Sequence, residues 1–282
     1  MRKRLSKILR GDLTREDLEK VYNSFDVVGD IAIIRLPDAS PLPAQTVAKV
    51  VLSRNSNLKT VLIQASPVSG ILRLRRLTHV AGENKTCTVH KEFGCLFSVD
   101  VAKSYFSPRL SYERLRIARM IKPNETVINM FAGVGCFSII IAKHSSATRV
   151  FSIDINPAAV QFMQENIRLN RVFGKVIPVW GESKEIIQKQ LQRAADRVLL
   201  PLPEKALEYL SYAVSALKAS GGWIHYYGFE HAAKTESPAK KVNLKVTETL
   251  NSLGMNFDVS LIRVVRRTGP NWYQLVADVN IL

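Results

Sequence analysis

The sequence Asn-Met-Phe-Ala-Gly-Val-Gly-Cys-Phe-Ser at residues 129–138 decides how the C-terminal half of this chain is predicted to fold. It directly follows an apolar strand pattern and opens an apolar helix pattern. Glycines at such a junction let the backbone approach a ligand closely, and a helix N-terminus favours the polar end of that ligand. A single Gly-x-Gly also occurs in ordinary tight turns, so the prediction of a ligand site here needs evidence from other residues.

Acidic residues follow the next two predicted strands in register with the glycine turn. The strand at residues 151–153 ends at Asp154, about 20 residues after the glycines, where a carboxylate accepts hydrogen bonds from ribose hydroxyls. One strand later, Glu182 stands where an acid can bind an adenine amino group. These features predict a nucleoside-cofactor site. Its predicted residues are Phe131, Ala132, Gly133, Val134, Gly135, Asp154, Ile155, Glu182, Pro201 and Pro203.

The type of cofactor is indicated by what the first loop lacks. The loop does not contain the complete Gly-x-Gly-x-x-Gly pattern that cradles a pyrophosphate. A cofactor without phosphates fits better, and S-adenosylmethionine is the common one. We expect its sulfonium near the strand ends and its amino-acid tail over the glycine loop.

Beyond Pro123 the sequence alternates between strand and helix patterns. Such alternation is typical of parallel strands joined by crossover helices, so residues 107–282 are predicted to form a Rossmann-like α/β domain. A helix over 107–121 is predicted to act as a hinge between the two halves of the chain. The predicted strands are 127–130, 150–153, 176–180, 198–200 and 222–227, and the predicted helices are 138–143, 157–170 and 204–219.

The N-terminal residues 1–106 are predicted to form a smaller α+β domain that contacts RNA or substrate. We expect its strands to be antiparallel. Its predicted elements are a basic helical segment at 1–22, two short strands around a Gly-Asp turn in 24–36, a helix at 45–54, and strands at 61–64, 70–83 and 95–101.

The 282-residue chain carries a net charge of +16, which points to a polyanionic partner and to nucleic acid first. A generally basic, solvated surface would give the same composition. No apolar run is long enough to cross a membrane. The three cysteines lack the spacing of a disulfide framework or a zinc site, so we expect no metal and a reducing, cytoplasmic location. We also expect a monomer.

Several further motifs occur in order over nearly the whole chain. Asp-Ile-Asn-Pro at 154–157 and Glu-Asn-Ile-Arg-Leu-Asn at 165–170 follow the glycine turn, and others lie at 24–32, 81–83, 106–109, 195–198 and 224–227. Together they resemble the archaeal and eukaryotic tRNA (guanine-37 N1)-methyltransferase family. That family also includes wyosine-pathway enzymes, which move an aminocarboxypropyl group from the same cofactor.

The resemblance implies methyl transfer from S-adenosylmethionine to N1 of guanosine 37, in the anticodon loop of tRNA. Because N1 carries a proton, the reaction needs a base and a donor for the charge that develops on O6. The resemblance assigns Glu113 as the base and Arg73 as the O6 donor. Glu113 could instead pair with Arg116 or Arg109 on a solvated helix face. Arg75 shares predicted strand parity with Arg73 and could take its place.

Other residues are expected to hold the RNA. Tyr226 and Tyr227 could stack on a base or could pack in the core, whereas His225 is expected to be a core histidine without a catalytic role. Arg109 could hold a phosphate or shape the pocket. Basic residues that could meet phosphates, each of which could equally be solvated charge, are Arg2, Lys3, Arg4, Lys7, Arg75, Arg76, Arg109, Arg114, Arg263, Arg266 and Arg267.

Two positions depart from the family. Pro201-Leu202-Pro203 stands where Asn-Leu-Pro or Asn-Pro-Pro is usual, and Asn129 stands where Asp is common. The first departure bears on how the target base is held, and it leaves two other functions open. One is wyosine-pathway transfer of an aminocarboxypropyl or methyl group to a modified guanosine 37. The other is RNA binding without catalysis.

Overall fold

The computed structural model describes Leu9, Gly11 and residues 25–36 and 43–282, which divide into two units, Met1–Pro108 and Arg109–Leu282. Apart from Leu9 and Gly11, the predicted basic helix at 1–22 lies outside the described residues, and so do Arg2, Lys3, Arg4 and Lys7. Among the helices in the described ranges, none combines the length and the apolar composition that crossing a bilayer requires.

The first unit contains a four-stranded sheet of β1 (Asp26–Val28), β2 (Ile31–Ile34), β3 (Thr60–Gln64) and β4 (Leu77–Gly82), in that order. Helix α1 (Ala44–Ser53) buries Val47, Ala48 and Val51 in the core of this unit. β5 (Cys87–Glu92) and β6 (Cys95–Asp100) form a separate two-stranded hairpin, and Thr88 and His90 of β5 accept hydrogen bonds from the turn between β1 and β2. The prediction of antiparallel strands throughout is wrong for β2 and β3, which pair in parallel because α1 provides the crossover between them.

The predicted strand over residues 70–83 is also wrong in its first half, since β4 begins only at Leu77. Residues 70–74 form a tight turn in which Gly70 (φ 72°) and Arg73 (φ 58°) are left-handed. Ser69 and Leu74 close this turn through reciprocal backbone hydrogen bonds of 2.9 and 3.1 Å. Arg73 and Arg75 therefore do not lie two positions apart on the same face of one strand.

The second unit begins within a short 3-10 turn (Pro108–Leu110) and is built largely from alternating helices and strands. Its elements are α2 (Ser111–Met120), β7 (Thr126–Asn129), α3 (Cys136–His144), β8 (Arg149–Asp154), α4 (Pro157–Leu169), β9 (Val176–Trp180), α5 (Ser183–Ile186), β10 (Arg197–Leu200), α6 (Leu210–Ala216), β11 (Gly222–His231), α7 (Pro238–Ser252), β12 (Phe257–Gly269) and β13 (Trp272–Ile281).

Seven strands of this unit form one sheet in the order β12-β13-β11-β10-β7-β8-β9. The strands from β9 to β11 are parallel, and β13 pairs antiparallel with both β11 and β12. The chain order reverses between β7 and β10, and ligands bind at the carboxyl ends of strands beside such a switch point. The architecture confirms the predicted Rossmann-like domain with a smaller N-terminal α+β domain.

Some elements differ from the predicted ones. The predicted helix at 204–219 is wrong in its extent, because residues 203–209 form turns and α6 covers only Leu210–Ala216. The sequence did not predict β5, α7, β12, β13 or the π-helical turn Ile187–Leu191. β11 continues to His231, four residues beyond its predicted end, because β13 pairs with it along its whole length.

Candidate functional site

The turn after β7 is built around two glycines in the left-handed region. Gly133 has a φ of 57°, and Gly135, with a φ of 89°, is the N-cap of α3. A Cβ atom on Gly135 would lie only 2.9 Å from Cγ of Met163. The Ala132 N–H donates to the Ile153 carbonyl at 2.8 Å and so ties the turn to β8. The backbone conformation accounts for glycine at both positions, and close packing is a second reason at Gly135.

The carboxylate of Asp154 lies against this turn at the end of β8. Its Oδ2 accepts a hydrogen bond from the Gly133 N–H at 2.6 Å, and its Oδ1 accepts one from the Asn156 N–H at 2.9 Å. Burial raises the pKa of Asp154, although both amide donors oppose the shift. The Asn156 side chain caps α4 by accepting from the Ala158 N–H at 3.0 Å, with Pro157 as the first helical residue.

Glu182 follows β9 and meets a tyrosine that the sequence did not reveal. Its Oε2 accepts from the Lys184 N–H at 2.9 Å, and its Oε1 accepts from the Tyr209 hydroxyl. Burial, together with Glu182, raises the pKa of Tyr209, so its hydroxyl keeps its proton. The Tyr209 ring also packs edge-on against Phe131 at a centroid distance of 5.0 Å. These contacts bring the predicted residues Phe131 and Glu182 together.

Two asparagines lie beneath the glycine turn. The side-chain amide of Asn166 donates to the Val134 carbonyl at 3.0 Å, which gives the Glu-Asn-Ile-Arg-Leu-Asn motif a structural role. The amide of Asn129 donates to Ser138 Oγ at 3.1 Å. Its Oδ1 is buried, and within the described part of the chain it has no hydrogen-bond partner. An unpaired buried acceptor costs about 1–3 kcal/mol, and a ligand with an N–H donor would remove that cost.

The groups around the turn fit S-adenosylmethionine better than a dinucleotide. The Gly133 N–H already donates to Asp154 and is therefore not available to a pyrophosphate. Asp154, Glu182 and Asn129 present oxygen acceptors, which suit ribose hydroxyls, an adenine amino group and a methionine amino group.

Three other predicted cofactor residues lie at the same edge of the sheet. Ile155 directly follows Asp154, is exposed, and accepts a hydrogen bond from the Trp180 indole through its carbonyl at 3.2 Å. Pro201 and Pro203 lie half-buried in the loop after β10. The position of these residues agrees with the site, and their contact with a cofactor remains a prediction.

Glu113 lies on α2, and its side chain is buried rather than solvated. Its Oε1 accepts hydrogen bonds from the Tyr227 hydroxyl and from Arg116 Nη2, each at 2.8 Å. Its Oε2 accepts from Arg116 Nε at 3.0 Å and from Arg263 Nη2. Glu113 does pair with Arg116, as one alternative had it, but this pair lies inside the protein and not on a solvated helix face.

A chain of buried polar groups continues from Arg116 into the sheet. Arg116 Nη1 donates to Asp278 Oδ2 at 2.6 Å, and His225 Nδ1 lies 2.6 Å from Asp278 Oδ1. Arg197 reaches the other ring nitrogen of His225 at 2.7 Å and is paired with Glu125. Burial lowers the pKa of His225. Burial opposes ionisation of Asp278 as well, but bonds from His225 and Arg116 hold its pKa below the usual range. The expectation that His225 is a core histidine is confirmed.

Phe137 connects the glycine turn to the Glu113 cluster. It lies in the first turn of α3, two residues after Gly135, and its ring lies 5.9 Å from that of Tyr227. Tyr227 is buried and bonded to Glu113, and Tyr226 packs in the hydrophobic core with 4% of its surface exposed. The core-packing alternative therefore describes both tyrosines in this structure, and neither presents a ring on which a base could stack.

The arginines of the first unit have distinct surroundings. The Arg73 guanidinium lies 5.9 Å from the centre of the Tyr105 ring. Arg75 Nη1 donates to Gln64 Oε1 at 3.1 Å and lies 3.9 Å from Asp26 Oδ2. These contacts tie Arg75 to its neighbours within the first unit. Arg109 is exposed in the 3-10 turn at the start of the second unit.

The sequence matches two family models. Residues 88–253 match the TRM5/TYW2 methyltransferase domain, and residues 5–86 match the TYW2 N-terminal domain. The chain is 35% identical to the tRNA 4-demethylwyosine(37)-methyltransferase Taw21 of Saccharolobus solfataricus, over 94% of this chain and 96% of that protein.

It is 41% identical to the tRNA (guanine(37)-N(1))-methyltransferase Trm5b of Pyrococcus abyssi, over 92% of this chain and 74% of that protein. The crystal structure of that Trm5b superposes with a TM-score of 0.84 over 95% of this chain and 78% of that chain. A P. horikoshii TYW2 crystallised with MeSAdo superposes with a TM-score of 0.78 at 25% identity, over 99% of this chain and 98% of that chain. This chain therefore belongs to the TRM5/TYW2 methyltransferase family.

Proposed function

We propose that this protein transfers the methyl group of S-adenosylmethionine to N1 of guanosine 37 in tRNA. The observation that carries the proposal is the buried Glu113 carboxylate, which is joined to the cofactor turn through Tyr227 and Phe137. S-adenosylmethionine is the cofactor of this methyltransferase family, and when bound it supplies a methyl group on a positively charged sulfur. We expect the chain to act on the anticodon loop, as a cytoplasmic monomer.

The protein's own residues have two tasks in this reaction. Asp154 and Glu182 would hold the nucleoside end of the cofactor through its ribose hydroxyls and its adenine amino group. Glu113 takes the proton that N1 of guanine must lose as the new nitrogen–carbon bond forms. Tyr227 donates to Oε1 and Arg116 donates to both oxygens, and together they fix the orientation of the carboxylate.

Arg73 remains the proposed donor to O6 of the base. A guanidinium suits this role because negative charge develops on O6 when N1 is deprotonated. The positive net charge of +16 supports a tRNA substrate, whose phosphates lysine and arginine side chains can neutralise.

Transfer to a wyosine-type base is the second candidate. Pro201 stands where the family usually has asparagine, so a side-chain amide that could hold the target base is missing. The similarity to Taw21 extends over 96% of that protein, which gives the same alternative independent support.

Mass spectrometry of nucleosides from tRNA incubated with the protein and labelled cofactor tests the proposal. With a transcript that carries guanosine 37, we expect the mass of one methyl group to be added to that nucleoside. The matched control is the same transcript with adenosine at position 37, which should gain nothing. Addition only to tRNA that carries 4-demethylwyosine, as a methyl or an aminocarboxypropyl group, would support the second candidate. No addition to either tRNA would indicate RNA binding without catalysis.

A further inference from the structure

Arg263 is a third donor to the Glu113 carboxylate, beside Tyr227 and Arg116. It lies on β12, at the edge of the seven-stranded sheet, and its Nη2 donates to Glu113 Oε2. Its side chain is 37% exposed, whereas that of Glu113 is 1% exposed. One end of this ion pair therefore reaches solvent while the other end is enclosed.

The other two donors to Glu113 are fixed in place. Arg116 is bound at the same time by Glu113 and by Asp278, at 2.8 and 2.6 Å. Tyr227 is almost fully buried and packs against Phe137. The Nε of Arg263, in contrast, is a buried donor that has no partner within the described residues. Arg263 is thus the least satisfied of the three donors and the one that can move most easily.

The strand that carries Arg263 presents more positive charge on the same side. A bulge between Val264 and Arg266 shifts the register of β12 against β13, so that Arg263 and Arg266 pair with Val276 and Gln274, two residues apart. Residues two apart on a strand share a face, so the bulge brings both arginines to one face of the sheet. An RNA phosphate near this strand would compete with Glu113 for a guanidinium.

We propose that Arg263 is a removable cap on Glu113, which leaves Oε2 when a phosphate of bound RNA takes its guanidinium. The proposal rests on the proposed function, in which Glu113 must accept a proton. While Arg116 Nε and Arg263 Nη2 both donate to Oε2, no lone pair of this oxygen is open to a proton from guanine. Departure of Arg263 leaves Oε2 with Arg116 Nε as its one donor and opens a lone pair on that oxygen, while Tyr227 and Arg116 keep the carboxylate oriented. The cap therefore makes exposure of the general base, Glu113, depend on the presence of RNA.

Binding of a G37 tRNA transcript to the full-length protein tests the cap without any need for turnover. Because Glu113 and the phosphate compete for Arg263, Glu113→Gln should bind the transcript about fivefold more tightly at low salt, as expected for loss of an ion pair of about 1 kcal/mol. In an Arg263→Gln background the same Glu113→Gln change should have no effect on affinity. Arg263→Gln alone should make the plot of log affinity against log salt concentration shallower by about 1 in slope, the contribution of one phosphate contact.

Arg267→Gln is the matched control, because Arg267 lies on the same strand but its guanidinium packs over Tyr273 and not against Glu113. In that background Glu113→Gln should still tighten binding about fivefold. A salt slope in Arg263→Gln equal to that of the wild type would overturn the cap. So would equal tightening by Glu113→Gln in the Arg263→Gln and Arg267→Gln backgrounds. The salt slope of Arg263→Gln decides the question even where Glu113→Gln does not fold. A wild-type protein that binds the transcript but modifies no nucleoside refutes the proposed function alone, since the binding comparison still decides the cap.

Discussion

The glycine turn and the Glu113 cluster lie in the same unit but are assembled in opposite ways. The turn is held by hydrogen bonds between residues 21 to 53 positions apart, as in the pairs Gly133–Asp154 and Met130–Ser183. Glu113 is held by residues 114 and 150 positions away, and Arg116 by one that is 162 positions away. The first region is assembled from motifs that follow one another along the chain. The second forms only when strands distant in sequence have joined the sheet.

The two regions also differ in their chemistry. Around the turn, Asp154 and Asn129 present acceptors that a ligand can satisfy. In the cluster, Glu113 and Asp278 are already satisfied by the guanidinium of Arg116. Changes in the first region should therefore alter cofactor affinity, and changes in the second should alter chemistry or stability while cofactor affinity is kept.

Glu113→Gln should distinguish the role of the Glu113 cluster from that of the glycine turn most clearly. Loss of the proton acceptor should lower the single-turnover rate of transfer by about 100-fold or more. Cofactor affinity, measured by calorimetry, should stay within about twofold, since no cofactor acceptor is changed. Glu248→Gln, at an exposed position on α7, is the control and should leave both quantities unchanged. A transfer rate close to that of wild type would remove Glu113 from the chemistry.

Asp278→Asn should show that the cluster also stabilises the second unit. Asp278 is fully buried and binds both Arg116 and His225, so its neutralisation leaves the partly buried Arg116 guanidinium without one of its two carboxylate partners. The free energy of unfolding should fall by about 3 kcal/mol in chemical denaturation. The exposed Asp258, on the adjacent strand β12, serves as the control through Asp258→Asn. Equal stabilities for the two variants would contradict this role.

Cofactor affinity should depend on pH through Asp154. Burial raises its pKa above the usual value of 3.8, so the carboxylate takes up a proton at a higher pH than an exposed aspartate does. Ribose hydroxyls donate to the charged form, and therefore affinity should fall as the pH falls through this raised pKa. The affinity of Asp154→Asn should be weaker but flat over the same range. Parallel pH curves for the two proteins would assign the dependence to another group.

Tyr209→Phe should have the smallest effect of these changes. It removes the hydroxyl that donates to Glu182 but keeps the ring beside Phe131. Loss of one hydrogen bond of about 1 kcal/mol should weaken cofactor binding about fivefold. Tyr212→Phe, on the neighbouring ring, should bind like wild type. If both variants bind alike, Tyr209 does not position Glu182.

The sequence predicted what adjacent residues encode and missed what distant strands bring together. The Gly-x-Gly turn, Asp154 and the start of the helix at Pro157 could be identified because each acts within a few residues of its own strand or helix. Tyr209 could not, because its segment forms turns whose position depends on contacts with Glu182 and Phe131. Nor could the long strands β12 and β13 be found, since their pairing is fixed by the rest of the sheet rather than by local pattern.

The most direct test of the account is calorimetric titration of S-adenosylmethionine into the ligand-free protein and into Asp154→Asn. We predict one site per chain in the wild type and affinity lower by about 10-fold or more in the variant, because hydrogen bonds to a charged acceptor are lost. No measurable binding to the wild type, or equal affinity in the two proteins, would contradict the claim that the glycine turn and Asp154 form the cofactor site.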